Sequence, residues 1–241
     1  MTGTAQLPLD LELRPALGRD DFMVAPSNEV AVAWIDRWPD WPGPALAIYG
    51  PPGCGKTHLC QVWRAMSGAV QADAAALDAN QPPELLGAAR ACVIDDAEAA
   101  LGADAERERR VLHLYNLLSE RGGHLLVTGR DAPARWACAL PDLGSRLAAM
   151  TAARLAAPDD ALVEAVLVKL FADRQLRVGG EVVRFLSARM ERSFEAARAL
   201  VAALDRAALA GRRAVTVPLA RRVLAEVQAT GAEIEQNTKG R

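Results

Sequence analysis

The sequence predicts an α/β fold, a parallel sheet flanked by helices and followed by an all-helical lid subdomain. Three observations carry that expectation. Short apolar runs, "ALAIYG" (45–50), "ARACVIDD" (89–96) and "HLLVTG" (124–129), alternate with helix-patterned stretches at 57–66, 107–121 and 141–149. That alternation is the rhythm of a sheet whose strands are joined by crossover helices. The first run leads into "GPPGCGKT" (50–57), which fits G-x-x-x-x-G-K-[ST] at every fixed position, between a strand and a helix. Past Pro158 the strand pattern stops and helical periodicity takes over.

Taken in order, "DDFMVAPSNEVAVAWI" (20–35) supplies a first helix, and Trp34, Trp38 and Trp41 either pack around it or offer a partner surface. The three strands and their helices follow. "DDALVEAVLVKLFADRQLRV" then opens on an N-capping candidate, Asp159, and keeps helical spacing until Gly179 and Gly180. Further helices are expected over 181–190, 193–210 and 218–228, with "AVTV" as an extended link and a frayed polar tail from 229 to 241. At the other end, "QLPLDL" (6–11) places Leu7, Leu9 and Leu11 in alternation behind Gln6, while Pro8 confines it to an edge strand or an extended peptide.

Composition narrows the function classes. A formal charge of −2 and a pI near 6.0 give no global attraction to nucleic acid, although a local basic face is compatible with them. The start lacks a basic stretch followed by an apolar core, and no apolar run approaches the ~18 residues of a membrane span, so a cytoplasmic protein with no membrane partner is expected. Cys54, Cys60, Cys92 and Cys138 show no CxxC spacing, which argues against a metal cluster or a disulfide framework.

The glycine-rich run carries the chemistry. Gly50, Pro51, Pro52, Gly53, Cys54 and Gly55 form a turn whose amides can face phosphate oxygens, and the helix that follows, with His58 in its first turn, adds its positive end. Lys56 would reach the β and γ phosphates of ATP or ADP, and Thr57 would ligate Mg2+. "CVIDD" supplies the partner carboxylates. Asp95 is placed to hold Mg2+, and Asp96 stands where related ATPases orient the attacking water. Solvated carboxylates at a strand end are the competing reading.

In this order the segments resemble the AAA+ ATPases with a P-loop, and within them the DnaA/Hda family. The segment at 20–35 resembles the family's approach to the adenine, with Asn28 before the helix; "LPDLGSRL" (140–147) resembles box VII, whose arginine finger would be Arg146; and "ALDRAALAGRRAVTVPLARRVL" (203–224) resembles the end of the Hda lid. The resemblance implies an extended tail over 1–19, an AAA+ nucleotide-binding subdomain over 20–156, a helical lid over 157–228 and a flexible tail over 229–241. No segment corresponds to the initiator's DNA-reading helix-turn-helix, which points to the Hda branch. In that branch a glutamine-leucine peptide, here Gln6, Leu7, Leu9 and Leu11, docks on the sliding clamp (the DNA polymerase III beta subunit), so DNA is met indirectly through the clamp. The partner is ATP-bound DnaA, whose hydrolysis Arg146 would stimulate in trans, making the chain a negative regulator of replication initiation. Head-to-tail homo-oligomers fit the family.

Two features depart from the family pattern. Thr128, Arg130 and Asp131 compete for the first sensor, and Glu195 falls where the second-sensor arginine belongs, with Arg192 and Arg198 about a turn away. The alternatives are an AAA+ ATPase that loads helicase or remodels DNA, and a clamp-binding adaptor without finger chemistry. Arg146 paired with Asp142, and "QLPLDL" as a strand on the domain's own edge, are the plainer readings of those two motifs.

Overall fold

The structure, a computed structural model, describes residues 23–101, 104–211 and 213–239, with side chains as far as 229. The clamp-peptide candidates Gln6, Leu7, Leu9 and Leu11 lie outside the described residues. The chain divides into two compact units, one ending at Ala157 and the other running on from Pro158.

The first unit contains α1 (Glu29–Asp36), β1 (Ala45–Tyr49), α2 (Lys56–Ser67), β2 (Val70–Ala72), α3 (Ala74–Ala79), α4 (Pro82–Leu86), β3 (Ala91–Ile94), α5 (Ala97–Leu101), α6 (Ala105–Glu120), β4 (His124–Gly129), a 3-10 turn (Pro133–Arg135), α7 (Pro141–Ala149) and β5 (Thr151–Arg154). Its five strands are parallel, in the order β2-β3-β4-β1-β5. Side chains alternate across the sheet. Leu46, Ile48, Val93 and Leu126 join Ile35, Leu59 and Trp63 in one core, under α1 and α2. Ala45, Ala47, Cys92, Ile94, Leu125 and Val127 join Leu77, Leu114, Leu118 and Leu143 in the other. Burial on both faces is why these strands read as continuous apolar runs.

Strands β2 and β5 escaped the sequence reading. They are the sheet's two edges, only three and four residues long, and "VQA" and "TAAR" are too short and too polar to show a period. The pairing of Ile94 with Val127 and of Ile48 with Thr128 brings the carboxyl ends of β3, β4 and β1 side by side. Ligands bind at such an edge in open α/β sheets.

The second unit contains α8 (Asp160–Asp173), α9 (Gly180–Ser187), α10 (Phe194–Gly211) and α11 (Val217–Lys239). Asp159 caps α8 by accepting from the Leu162 N–H at 2.8 Å, and Ser193 likewise accepts from the Ala196 N–H at 3.0 Å as α10 opens. Val163, Leu167, Phe171, Val182, Leu186, Leu200, Leu204 and Val223 form its core. Helix α11 continues to Lys239, beyond the 228 that the sequence reading allowed. The polar extension includes Ala, Glu, Gln and Lys, which favour helix even though they mark no core-facing stripe, beside Gly231 and Asn237, which favour it less. Among the described residues no helix is long and apolar enough to cross a membrane.

Candidate functional site

The loop after β1 is shaped by its glycines. Gly53 and Gly55 have φ of 70° and 108°, which side chains rarely tolerate, and Gly50 lies so close to β5 that a Cβ there would collide with the Leu155 carbonyl. Helix α2 starts at Lys56, so the loop and the first amides of the helix form one cradle. The Lys56 ammonium donates to the carbonyls of Gly50 at 2.8 Å and Pro51 at 2.9 Å. Neutral carbonyls leave its charge available to phosphate oxygens. Cys54 is buried behind the loop, and burial pushes its thiol up in pKa, so it packs as a neutral group. Pro51, Pro52 and Thr57 are exposed, and His58 is half-buried.

The two carboxylates follow β3. Both contacts of Asp95 fall on Oδ1, which accepts the Thr128 hydroxyl at 2.6 Å and the Cys60 thiol at 3.8 Å. The Thr128 hydroxyl in turn accepts the Asp96 N–H at 2.8 Å. A fully buried Thr128 thus fixes both acidic residues. Burial first, and the Asp95 charge second, raise the Cys60 thiol well above its ordinary pKa, which keeps it a donor. Asp96 is exposed with φ of 53°, a left-handed backbone uncommon for a non-glycine residue. Among the described residues no group of three or more His, Cys, Asp or Glu could hold a metal. A magnesium ion here would be held by Thr57, Asp95 and the phosphates themselves, the usual way for this ion.

Of the three first-sensor candidates, only Thr128 joins the carboxylates. The Arg130 and Asp131 N–H groups donate to Glu98 Oε2 at 2.7 and 3.1 Å, and Trp136 Nε1 donates to the Asp131 carbonyl. Asn28 precedes α1, at the turn that leads into it. Its buried carboxamide accepts the Ala25 N–H at 2.8 Å and donates to the Met23 carbonyl at 2.9 Å, so it fixes the turn before α1.

Arg146 lies exposed on α7, its guanidinium carbon 5.1 Å from the centroid of the Tyr115 ring on α6, and no carboxylate among the described residues pairs with it. The alternative ion pair with Asp142 is not formed. Glu108, fully buried on α6, accepts the Ala139 and Leu140 N–H groups at 3.0 and 2.8 Å and the Cys138 thiol at 3.3 Å, anchoring the chain where α7 begins. The sequence reading missed Cys60, Glu98, Glu108 and Tyr115. Only Cys60, four residues after Lys56 on one helix, had a local signal.

Within the lid, Arg192 grips both oxygens of Asp160, at 2.8 and 3.1 Å, in an exposed pair. Glu195 and Arg198 are exposed on α10.

Residues 160–224 match the family model described as "Hda, lid domain". That segment of the chain is similar to an Hda lid. A protein of Haemophilus influenzae described only as uncharacterized is 27% identical over 195 residues, 75% of this chain and 81% of the relative. The chromosomal replication initiator protein DnaA of Thermomicrobium roseum is 28% identical over 219 residues, 80% of this chain, but the match spans only 45% of that DnaA. Domain III of Thermotoga maritima DnaA superposes with a TM-score of 0.77 at 19% identity, over 89% of this chain and 98% of that one. AMPPCP-bound DnaA from Aquifex aeolicus gives 0.65 at 16% identity, over 79% and 65%. The fold is therefore that of a DnaA-type AAA+ domain with a helical lid, and the chain is similar in sequence to part of DnaA.

Proposed function

We propose that this chain is a negative regulator of chromosome replication initiation that acts on DnaA. It binds ADP or ATP with Mg2+ in the cradle of Gly50 to Thr57, docks on the DNA-loaded sliding clamp through Gln6, Leu7, Leu9 and Leu11, and stimulates ATP hydrolysis by DnaA through Arg146. The observation that carries the reading is an exposed Arg146, without a carboxylate partner among the described residues, in a chain whose lid is of the Hda type.

The chemistry follows from charge. Phosphoryl transfer builds up negative charge on the transferred group, and a guanidinium brought to it from a neighbouring subunit stabilises that charge. Arginine fingers are worth ~10³ to 10⁵ in rate, enough to turn a slow hydrolysis into a switch. Holding Arg146 over Tyr115 limits the conformational freedom lost when it enters the initiator's site. In the chain's own cradle, Lys56 neutralises phosphate charge, Thr57 and Asp95 hold the metal, and Thr128 keeps Asp95 aimed.

The test is single-turnover hydrolysis of ATP on purified DnaA, alone, with this chain, and with this chain plus clamp loaded on DNA. Acceleration that needs the loaded clamp supports the proposal; an unchanged rate in all three mixtures contradicts it. A second reading, an ATPase working on its own account, draws on the Asp95–Thr128–Asp96 network. It predicts turnover by the chain alone, stimulated by single-stranded DNA.

A further inference from the structure

The lid carries a second concentration of positive charge, unconnected to any role assigned above. The guanidinium carbons of Arg189, just after α9, and Arg221, on α11, lie 4.5 and 5.6 Å from the centroid of one ring, that of Phe185. Together with Leu224, Ala225 and Gln228 they line an open groove of about 500 Å³. The Gln228 amide donates to the Arg189 carbonyl at 3.2 Å and ties the end of the α9 segment to α11.

Two arginines close in sequence to this pair have acidic partners: Arg192 pairs with Asp160 and Arg222 with Glu226. Neither Arg189 nor Arg221 pairs with a carboxylate among the described residues. Both guanidiniums lie against the same ring, which attracts a cation at its face. Arg189 also donates to the Phe185 carbonyl at 3.4 Å, and the other donors of the two planar forks suit oxyanions. The charge is also local. Residues 158–241 hold 14 Lys and Arg against 11 Asp and Glu, whereas residues 1–157 hold 14 against 19.

We propose that this groove binds phosphate oxygens of a DNA backbone. An acidic peptide is the competing occupant, but peptide docking needs apolar anchor pockets, and Leu224, the large aliphatic side chain of the groove, is only 6% exposed. A phosphate backbone asks only for suitably spaced charges and planar donor forks. The site is separate from the phosphate loop and independent of the action proposed on DnaA.

The experiment is fluorescence anisotropy of a labelled DNA duplex titrated with the full-length chain in excess Mg-ADP, over a series of salt concentrations. Replacing both arginines, Arg189→Ala with Arg221→Ala, should weaken binding and flatten the slope of log K against log salt by about 2, close to 0.9 per lost phosphate contact. Arg189→Lys with Arg221→Lys should keep the slope. Arg189→Gln with Arg221→Gln is a second neutral pair that preserves side-chain bulk. An unchanged slope in the neutral variants overturns the proposal. So does arginine-dependent binding of labelled polyglutamate with none of the duplex.

Discussion

Thr128 does the most at the smallest scale: one buried hydroxyl donates to Asp95 and accepts from the Asp96 N–H. Thr128→Val keeps the shape and removes both bonds. It should lower stability by about 1–3 kcal/mol, the usual consequence of leaving buried partners unsatisfied, as measured by urea unfolding. Lys56→Ala should weaken ADP binding about 10- to 100-fold, since hydrogen bonds to a charged group contribute ~1.5–3 kcal/mol. Calorimetric titration reads this directly, and an unchanged affinity would place the nucleotide elsewhere. The phosphate loop and the paired aspartates were legible in the sequence because each is a contiguous motif with its own backbone demand. Asn28 was legible only as a polar residue before a helix. That its carboxamide is spent on Ala25 and Met23 depends on a turn that no spacing rule announces.

Among elements, α6 acts as the platform for α7. Glu108 holds the backbone at Ala139 and Leu140, and Tyr115 lies beneath Arg146. Burial alone would push the Glu108 carboxyl up, but its bonds from Ala139, Leu140 and Cys138 outweigh that and hold it below the ordinary 4.5. A carboxyl depressed on folding gives stability that is fully present above its unfolded value and is lost as the pH falls through the folded one. The stability difference between wild type and Glu108→Gln should therefore stay constant from neutral pH down to about 5 and shrink below 4.5. Urea unfolding across that range checks it; a difference that grows on acidification would contradict the assignment. In the sequence, "AERERRVL" looks like a solvated charged turn, and the partners that bury Glu108 lie 31 and 32 residues away. The long strands and helices were readable from their periods, while β2, β5 and α3 to α5 were too short to establish one.

At the scale of the whole molecule, a DnaA-type AAA+ fold and an Hda-type lid stand in one chain. Sequence order carried that combination better than any single motif, because the phosphate-loop motif, the acidic strand end and the lid follow one another along the chain. Clamp docking belongs to this scale as well. Gln6→Ala should abolish binding to purified sliding clamp by surface plasmon resonance while leaving the thermal unfolding midpoint unchanged. The central claim is that Arg146 acts inside another protein's nucleotide site. It is tested most directly by single-turnover hydrolysis of ATP on DnaA with loaded clamp, comparing the wild-type chain with Arg146→Ala. The account predicts that the variant still binds clamp and ADP but returns hydrolysis to the rate of DnaA alone, a loss of ~10³-fold or more if the finger has its usual worth. Full stimulation by Arg146→Ala would contradict it.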